Sequence, residues 1–265
     1  FQDFPVAGTA SYGLTYSNDR LGGVVGYAMA DASASSSIII KNICADVDME
    51  LTGNANTSHS VGGVVGATTG YNDGTAHVTI DGCCSKGSIL SSLIDSPSWF
   101  CVGGIVGRVQ QAGGTTLSNC YNAGDLTASG MLGGIVGCAQ NAATSFTNCY
   151  NSGKITPLVL TGTYVGTGAI CGSNTDYAYT VSNNYYLEDT ASQGFAVGTD
   201  ADMATAAKAS TDLSDPNMVA LLNAGGSAWQ EGDTYPVLSW EKTLGAPAIT
   251  VQPVDGWGTS GKAAD

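Results

Sequence analysis

The sequence predicts an all-β chain wound as a parallel β-helix (a β-solenoid) of about five coils, closed by a small C-terminal α/β cap. Two linked motifs predict it, each recurring five times in fixed order. So does the absence of helical periodicity between copies, where short Val-, Ile-, Leu- and Thr-rich runs alternate with Gly, Asn and Ser turns. A right-handed wind is expected by analogy with the crossover preference of parallel strands.

The first motif is Leu21-Gly22-Gly23-Val24-Val25-Gly26. It recurs as Val61-Gly62-Gly63-Val64-Val65-Gly66, Val102-Gly103-Gly104-Ile105-Val106-Gly107 and Leu132-Gly133-Gly134-Ile135-Val136-Gly137. A worn copy is Gly168-Ala169-Ile170-Cys171-Gly172. The second motif is clearest as Leu117-Ser118-Asn119-Cys120-Tyr121-Asn122-Ala123-Gly124 and Phe146-Thr147-Asn148-Cys149-Tyr150-Asn151-Ser152-Gly153. Looser forms start at Ile40, Ile80 and Val181. One such unit cannot bury its own apolar face, whereas stacked coils share a core and satisfy one another's backbone groups. Like residues then pile on like at the spacing of parallel strands. This places Asn42, Asn119, Asn148 and Asn183 in a ladder at a bend, where Asn tolerates left-handed backbone.

These motifs resemble the GLUG-motif repeats of bacterial surface proteins, over about Leu21 to Tyr186. Such repeats occur in adhesin-like cell-wall proteins and in non-catalytic regions of immunoglobulin-A-cleaving metallopeptidases. The resemblance implies an extracellular, cell-surface location and a fragment of a larger secreted protein. It also implies partnership with other domains of the parent chain.

Composition narrows the partners. Asp and Glu number 22 against 8 Lys and Arg, a net charge of −14. Nucleic acid, which needs clustered cations, is excluded as an expected partner, as is docking on anionic lipid. No apolar run reaches the roughly 20 residues of a membrane span, so no direct insertion is expected. The hydrophobic fraction of 43% is enough for a core despite 37 Gly.

The chain divides into a solenoid over 1–186, a cap packing on the last coil over 187–243, and a linker or truncated immunoglobulin-like module over 244–265. In the cap, an Ala-rich stretch to Ala209 and a segment opening at Ser214-Asp215-Pro216 read as helices. The run Tyr235 to Trp240 reads as a strand.

Enzyme readings find little support. Asn174-Thr175-Asp176 matches one element of polygalacturonases, but their paired Asp, Gly-His-Gly and Arg-x-Lys elements are missing. His59 and His77 lack the spacing of a zinc peptidase, and no Gly-x-Ser-x-Gly elbow occurs. No catalytic residue is therefore assigned, although two carboxylates on neighbouring coils could still serve a polysaccharide hydrolase. Asp46, Asp48 and Glu50 alternate, so on a strand they share one face. They form either a solvated face or part of a calcium site, which takes six to eight oxygens; no other cofactor is expected. Cys44 and Cys84 align in the column that Tyr121, Tyr150 and Tyr185 occupy in later coils, making Cys44–Cys84 a disulfide candidate alongside Cys120–Cys149. If that tyrosine column faces outward, it is a platform for sugars or peptides; if inward, it is core. Trp99 lies in the long loop Ser91–Phe100 and is the other candidate ligand-binding residue. The expected function is a non-catalytic adhesion or interaction module that binds a host or matrix glycan or protein. A structural spacer and a carbohydrate-active β-helix enzyme are the alternatives.

Overall fold

A computed structural model describes residues 4–14, 19–30, 36–53, 58–70, 76–93, 99–110, 114–140, 144–172, 179–194 and 207–243. Asn174-Thr175-Asp176, the stretches 31–35, 71–75 and 94–98 and the segment 244–265 lie outside the described residues. Strand β1 (Phe4–Leu14) precedes the coils. The first coil is β2 (Arg20–Gly22), β3 (Val25–Met29), β4 (Ser37–Lys41) and the long β5 (Ile43–Gly53). The second is β6 (His59–Gly62), β7 (Val65–Thr69), β8 (His77–Asp81), β9 (Cys84–Ser85) and β10 (Ile89–Ser91). The third is β11 (Phe100–Gly103), β12 (Val106–Gln110), β13 (Thr115–Ser118), β14 (Tyr121–Asn122) and β15 (Leu126–Ala128). The fourth is β16 (Met131–Gly133), β17 (Val136–Ala139), β18 (Thr144–Thr147), β19 (Tyr150–Asn151) and β20 (Ile155–Pro157). A partial fifth coil holds β21 (Gly166–Gly168), β22 (Tyr179–Ser182) and β23 (Asn184–Leu187).

Equivalent strands of successive coils pair in parallel, in the register the motifs set: Leu21, Val61, Val102 and Leu132 lie side by side, as do Tyr121, Tyr150 and Tyr185. The molecule is a β-solenoid. Strand β1 pairs β5 along its length and covers that part of the first coil's edge. At the bend of the second motif, Asn42, Asn119, Asn148 and Asn183 have φ of 54°, 51°, 55° and 60°, and Gly82 takes the same place with φ 62°. The Asn148 amide donates to Asn119 Oδ1 at 3.3 Å and the Asn183 amide to Asn148 Oδ1 at 3.0 Å. The expected ladder is present.

The glycine pairs shape the cross-section. Each coil enters along β2 and its equivalents, turns at Gly-Gly, and leaves along β3 and its equivalents. At Gly103 an added Cβ would lie 1.9 Å from Val106 O, so the two arms of the turn touch backbone to backbone. At Gly104 it would lie 2.4 Å from Asn122 Cγ, which places the tip of the turn against the opposite sheet. This inward arch divides the interior into two apolar lobes. One holds Ile40, Ile80, Leu117, Phe146 and Ile135; the other holds Met49, Ile89, Phe100, Leu126 and Leu132. Outside the two lobes, the arms face one another across a narrow cleft that the buried side chains of Cys101, Met131 and Cys138 fill.

The C-terminal segment differs from expectation. Residues 207–210 form strand β24 (Ala207–Ser210), paired with β23, where the Ala-rich stretch predicted a helix. Pairing with the open edge of the last coil outweighs intrinsic propensity there. Helix α1 (Pro216–Asn223) forms as expected, capped by the Asp215 carboxylate accepting from Asn217 N–H, with Pro at its start. It ends at Ala224 and Gly225, with φ of 46° and 92°. Strand β25 (Trp229–Gln230) pairs antiparallel with β26 (Val237–Leu238), and Trp240 lies in a short helix, α2 (Ser239–Thr243), not in a strand. The cap meets the last coil where β24 pairs with β23, and it also reaches further than that coil. Beyond β24, the segment runs as a strap down the solenoid's flank. Trp240 Nε1 donates to Gly82 O at 3.0 Å, and Lys86 pairs with Glu241 at 2.7 Å, both in the second coil.

Candidate functional site

Sequence reasoning left the side faced by the tyrosine column open. The structure points it out of the solenoid lumen and then covers it. On the second motif's strand, Cys120 faces the lobe interior while its neighbour Tyr121 faces the strap. Tyr121, Tyr150 and Tyr185 are 2%, 1% and 4% exposed, packed under Leu213, Met218, Leu222, Trp229 and Leu238. Tyr121 donates to the Glu241 carboxylate at 3.0 Å and Tyr150 to Pro236 O at 2.7 Å. Burial first, then the neighbouring Glu241 and tyrosine, push both phenols up. The column is therefore not an open platform; it is the seat of the strap.

The Cys44–Cys84 disulfide forms at the foot of the same column, and the alternative Cys120–Cys149 does not, both thiols being free and buried. Cys44, Cys84 and Glu241 bring ligand atoms within 4.8 Å of one another. As a disulfide, the two sulfurs offer no thiolate to a metal.

Asp46, Asp48 and Glu50 share one exposed face of β5, alternating with buried Val47, Met49 and Leu51. Asp48 Oδ1 accepts from Ser88 N–H at 2.8 Å, just as Asp125 Oδ1 accepts from Lys154 N–H at 2.8 Å two coils further on. Glu50 accepts from Ser11 at 3.4 Å. Tying one coil to the next accounts for Asp48.

Trp99 is the predicted residue with the richest surroundings. It stands at the mouth of the cleft, at the start of the third coil, with φ 64°. A bulky residue in left-handed backbone stores strain, and such strain concentrates at ligand clamps. Its ring lies 4.7 Å from that of Tyr164, and the Arg108 guanidinium sits 4.7 Å over it. Cys101, Met131 and Cys138 fill the cleft beneath. Burial, and then the neighbouring Cys138 thiol, push the Cys101 thiol well up, so this floor is apolar and uncharged. Gln140 accepts from Arg108 Nη2 at 2.5 Å.

A second, similar group lies along the same cleft. The Arg20 guanidinium sits 4.2 Å over the Tyr27 ring and donates to Gln110 Oε1 at 3.3 Å. Tyr27 OH lies 2.8 Å from Thr69 Oγ1, which in turn donates to Gln110 Oε1 at 3.4 Å. Tyr27, Ala67 and Arg108 share one row across three coils. The mouth of the cleft thus carries three aromatic rings, two guanidiniums and two carboxamides. Sequence reasoning found Trp99 but missed Tyr164, Tyr27, Gln110 and Gln140. The available signal was that Arg20 and Arg108 are the chain's two arginines, and that Arg20 immediately precedes one copy of the Gly-Gly motif while Arg108 immediately follows another.

A family model described as the GLUG motif matches residues 128–156, which span β16 to β19 and the bends between them. No curated protein and no solved structure matches the chain. No helix among the described residues is long and apolar enough to cross a membrane. The chain carries a GLUG motif within a β-solenoid.

Proposed function

We propose that this chain is a non-catalytic interaction module of a bacterial extracellular, surface-displayed protein, and that it binds a glycan through the cleft mouth around Trp99. The observation that carries this reading is the Trp99–Tyr164–Arg108 group: an aromatic pair 4.7 Å apart over an apolar floor, with Trp99 in left-handed backbone. Aromatic faces stack on the apolar faces of sugar rings, while the flanking amides and guanidiniums meet hydroxyls.

The test is a glycan array probed with the purified chain and with Trp99→Ala and Tyr164→Ala, each checked for an unchanged melting temperature. A hit weakened about tenfold in both variants, the scale of one lost aromatic contact, supports the reading. An array without hits, or a hit indifferent to both changes, overturns it and favours the spacer. One observation already favours the spacer as second reading: the aromatic column repeated along the solenoid is wholly taken up by the strap.

A further inference from the structure

The chain has a net charge of −14 and only two arginines, Arg20 and Arg108. In so acidic a protein, each would be expected to find a carboxylate. Neither is ion-paired among the described residues, whereas Lys41 and Lys86 are, with Asp81 and Glu241. Both arginines instead point along the same cleft, stack on an aromatic ring and donate one N–H to a glutamine. Arg108 is 9% exposed, Arg20 is half-buried, and in both the Nε–H is buried with no acceptor among the described residues.

A buried N–H of a cation without an acceptor is costly, and a guanidinium stacked on a ring and tied through Nη2 to an amide is held in place, with its remaining Nη N–H groups left to meet an oxyanion. The repetition matters as well. The same three-part arrangement of ring, guanidinium and glutamine occurs twice along one groove, as a polymer with a repeating charge requires. The groove has aromatic walls, which suits a sugar ring better than a free ion. The chain's net charge of −14 repels polyanions at long range, so discrimination rests on short contacts with the two guanidiniums.

We propose that the cleft mouth recognises an acidic saccharide, with Arg20 and Arg108 each taking an anionic substituent, carboxylate or sulfate, while Trp99, Tyr164 and Tyr27 take the sugar faces. This deepens the glycan-binding reading and rests on it. Arginine suits both groups because its charge persists at any working pH and its remaining Nη N–H groups can donate to either oxyanion.

The experiment is calorimetric titration of the intact chain with trigalacturonate, with its fully methyl-esterified form, and with a sulfated oligosaccharide of equal length. Esterification removes the charge and leaves the sugar framework in place. The expected result is at least tenfold tighter binding of the acid than of the ester, with the sulfated arm telling which oxyanion fits better. Arg20→Gln, and Arg108→Lys as the variant least prone to disturb folding, should each lower affinity for the bound acid about fivefold or more and leave the ester unaffected. Equal binding of acid and ester, with Trp99→Ala still abolishing both, overturns the acidic specificity while the glycan-binding reading stands. If neither the acidic, esterified nor sulfated probe binds and the array is empty, both readings fall. If these probes do not bind while a neutral glycan on the array does, only the acidic specificity falls.

Discussion

Tyr121 and Tyr150 stack with ring centroids 5.0 Å apart and planes within 6° of parallel, on adjacent coils and under one tryptophan, Trp229. Parallel coils impose this spacing on any repeated aromatic, and the strap converts an exposed ladder into a third apolar core. Tyr150 is the more deeply engaged of the two, because its hydroxyl meets a backbone carbonyl of the strap. Tyr150→Phe should leave Pro236 O without its donor and cost about 1–3 kcal/mol, and Tyr150→Ala about 3–5 kcal/mol. Urea unfolding followed by circular dichroism measures both. A cost below 0.5 kcal/mol for the alanine variant would mean that the strap does not dock as described.

The arch predicts a sharp contrast between glycines. At Gly103 the added Cβ meets Val106 O at 1.9 Å and Gly137 N at 2.6 Å, both backbone. At Gly26, in the first coil, the nearest atom is Arg20 O at 3.0 Å. Gly103→Ala should yield little folded protein, since the clash exceeds what about 1–3 kcal/mol of ordinary overpacking relieves. Gly26→Ala should fold, with a cost of about 1 kcal/mol. Soluble yield and melting temperature of the two variants provide the check.

Cys44 and Cys84 are 40 residues apart in sequence, so their bond closes a long loop in the unfolded chain. Loop-closure entropy puts the loss on reduction at about 4 kcal/mol. The expected readout is a lower unfolding midpoint in reducing buffer for the native chain, and no such shift for the Cys44→Ser/Cys84→Ser double variant. Mass spectrometry before and after alkylation should count six reactive thiols in the unfolded, unreduced protein.

Asp81 supplies a pH dependence. Burial raises its carboxyl, but hydrogen bonds from Ser118 and Asn119 and the Lys41 ammonium outweigh that and hold it below 3.8. A group depressed in the folded state stabilises in full above its unfolded value, and that contribution fades as pH falls through the folded one. Stability should therefore drop as pH is lowered from about 4 into the folded-state range. Asp81→Asn should be less stable at neutral pH and show a smaller drop over that interval. Identical pH profiles for the two proteins would remove Asp81 as a contributor.

The coils, their register and the asparagine bend were legible because like residues at fixed offsets are a local, repeating signal. Asn119 and Asn148 could be aligned by eye, and their left-handed backbone follows from residue type. The alternation of Asp46, Asp48 and Glu50 was legible for the same reason. The strap's path was not. Trp240 reaches Gly82 across 158 residues of sequence, and nothing in either segment's pattern encodes that meeting. The side of the tyrosine column was ambiguous because a buried aromatic looks the same under a second layer as in a lumen. Arg108 and Trp99 were both visible, but Tyr164 joins them from the segment that leads into the fifth coil, and a contact between loops of unequal length escapes any periodic rule.

Stacked coils on their own behave as a spring of weakly coupled turns, each able to peel from its neighbour at either end. The strap alters that response. It is joined to the last coil through β24 and β23 and to the second coil through Trp240 and Glu241. It therefore lies parallel to the axis as a tie-rod. Tension along the axis cannot open one gap between coils without also dragging the strap's apolar face across the tyrosines. The load is shared over four coils at once, and the molecule should yield to force as a single unit.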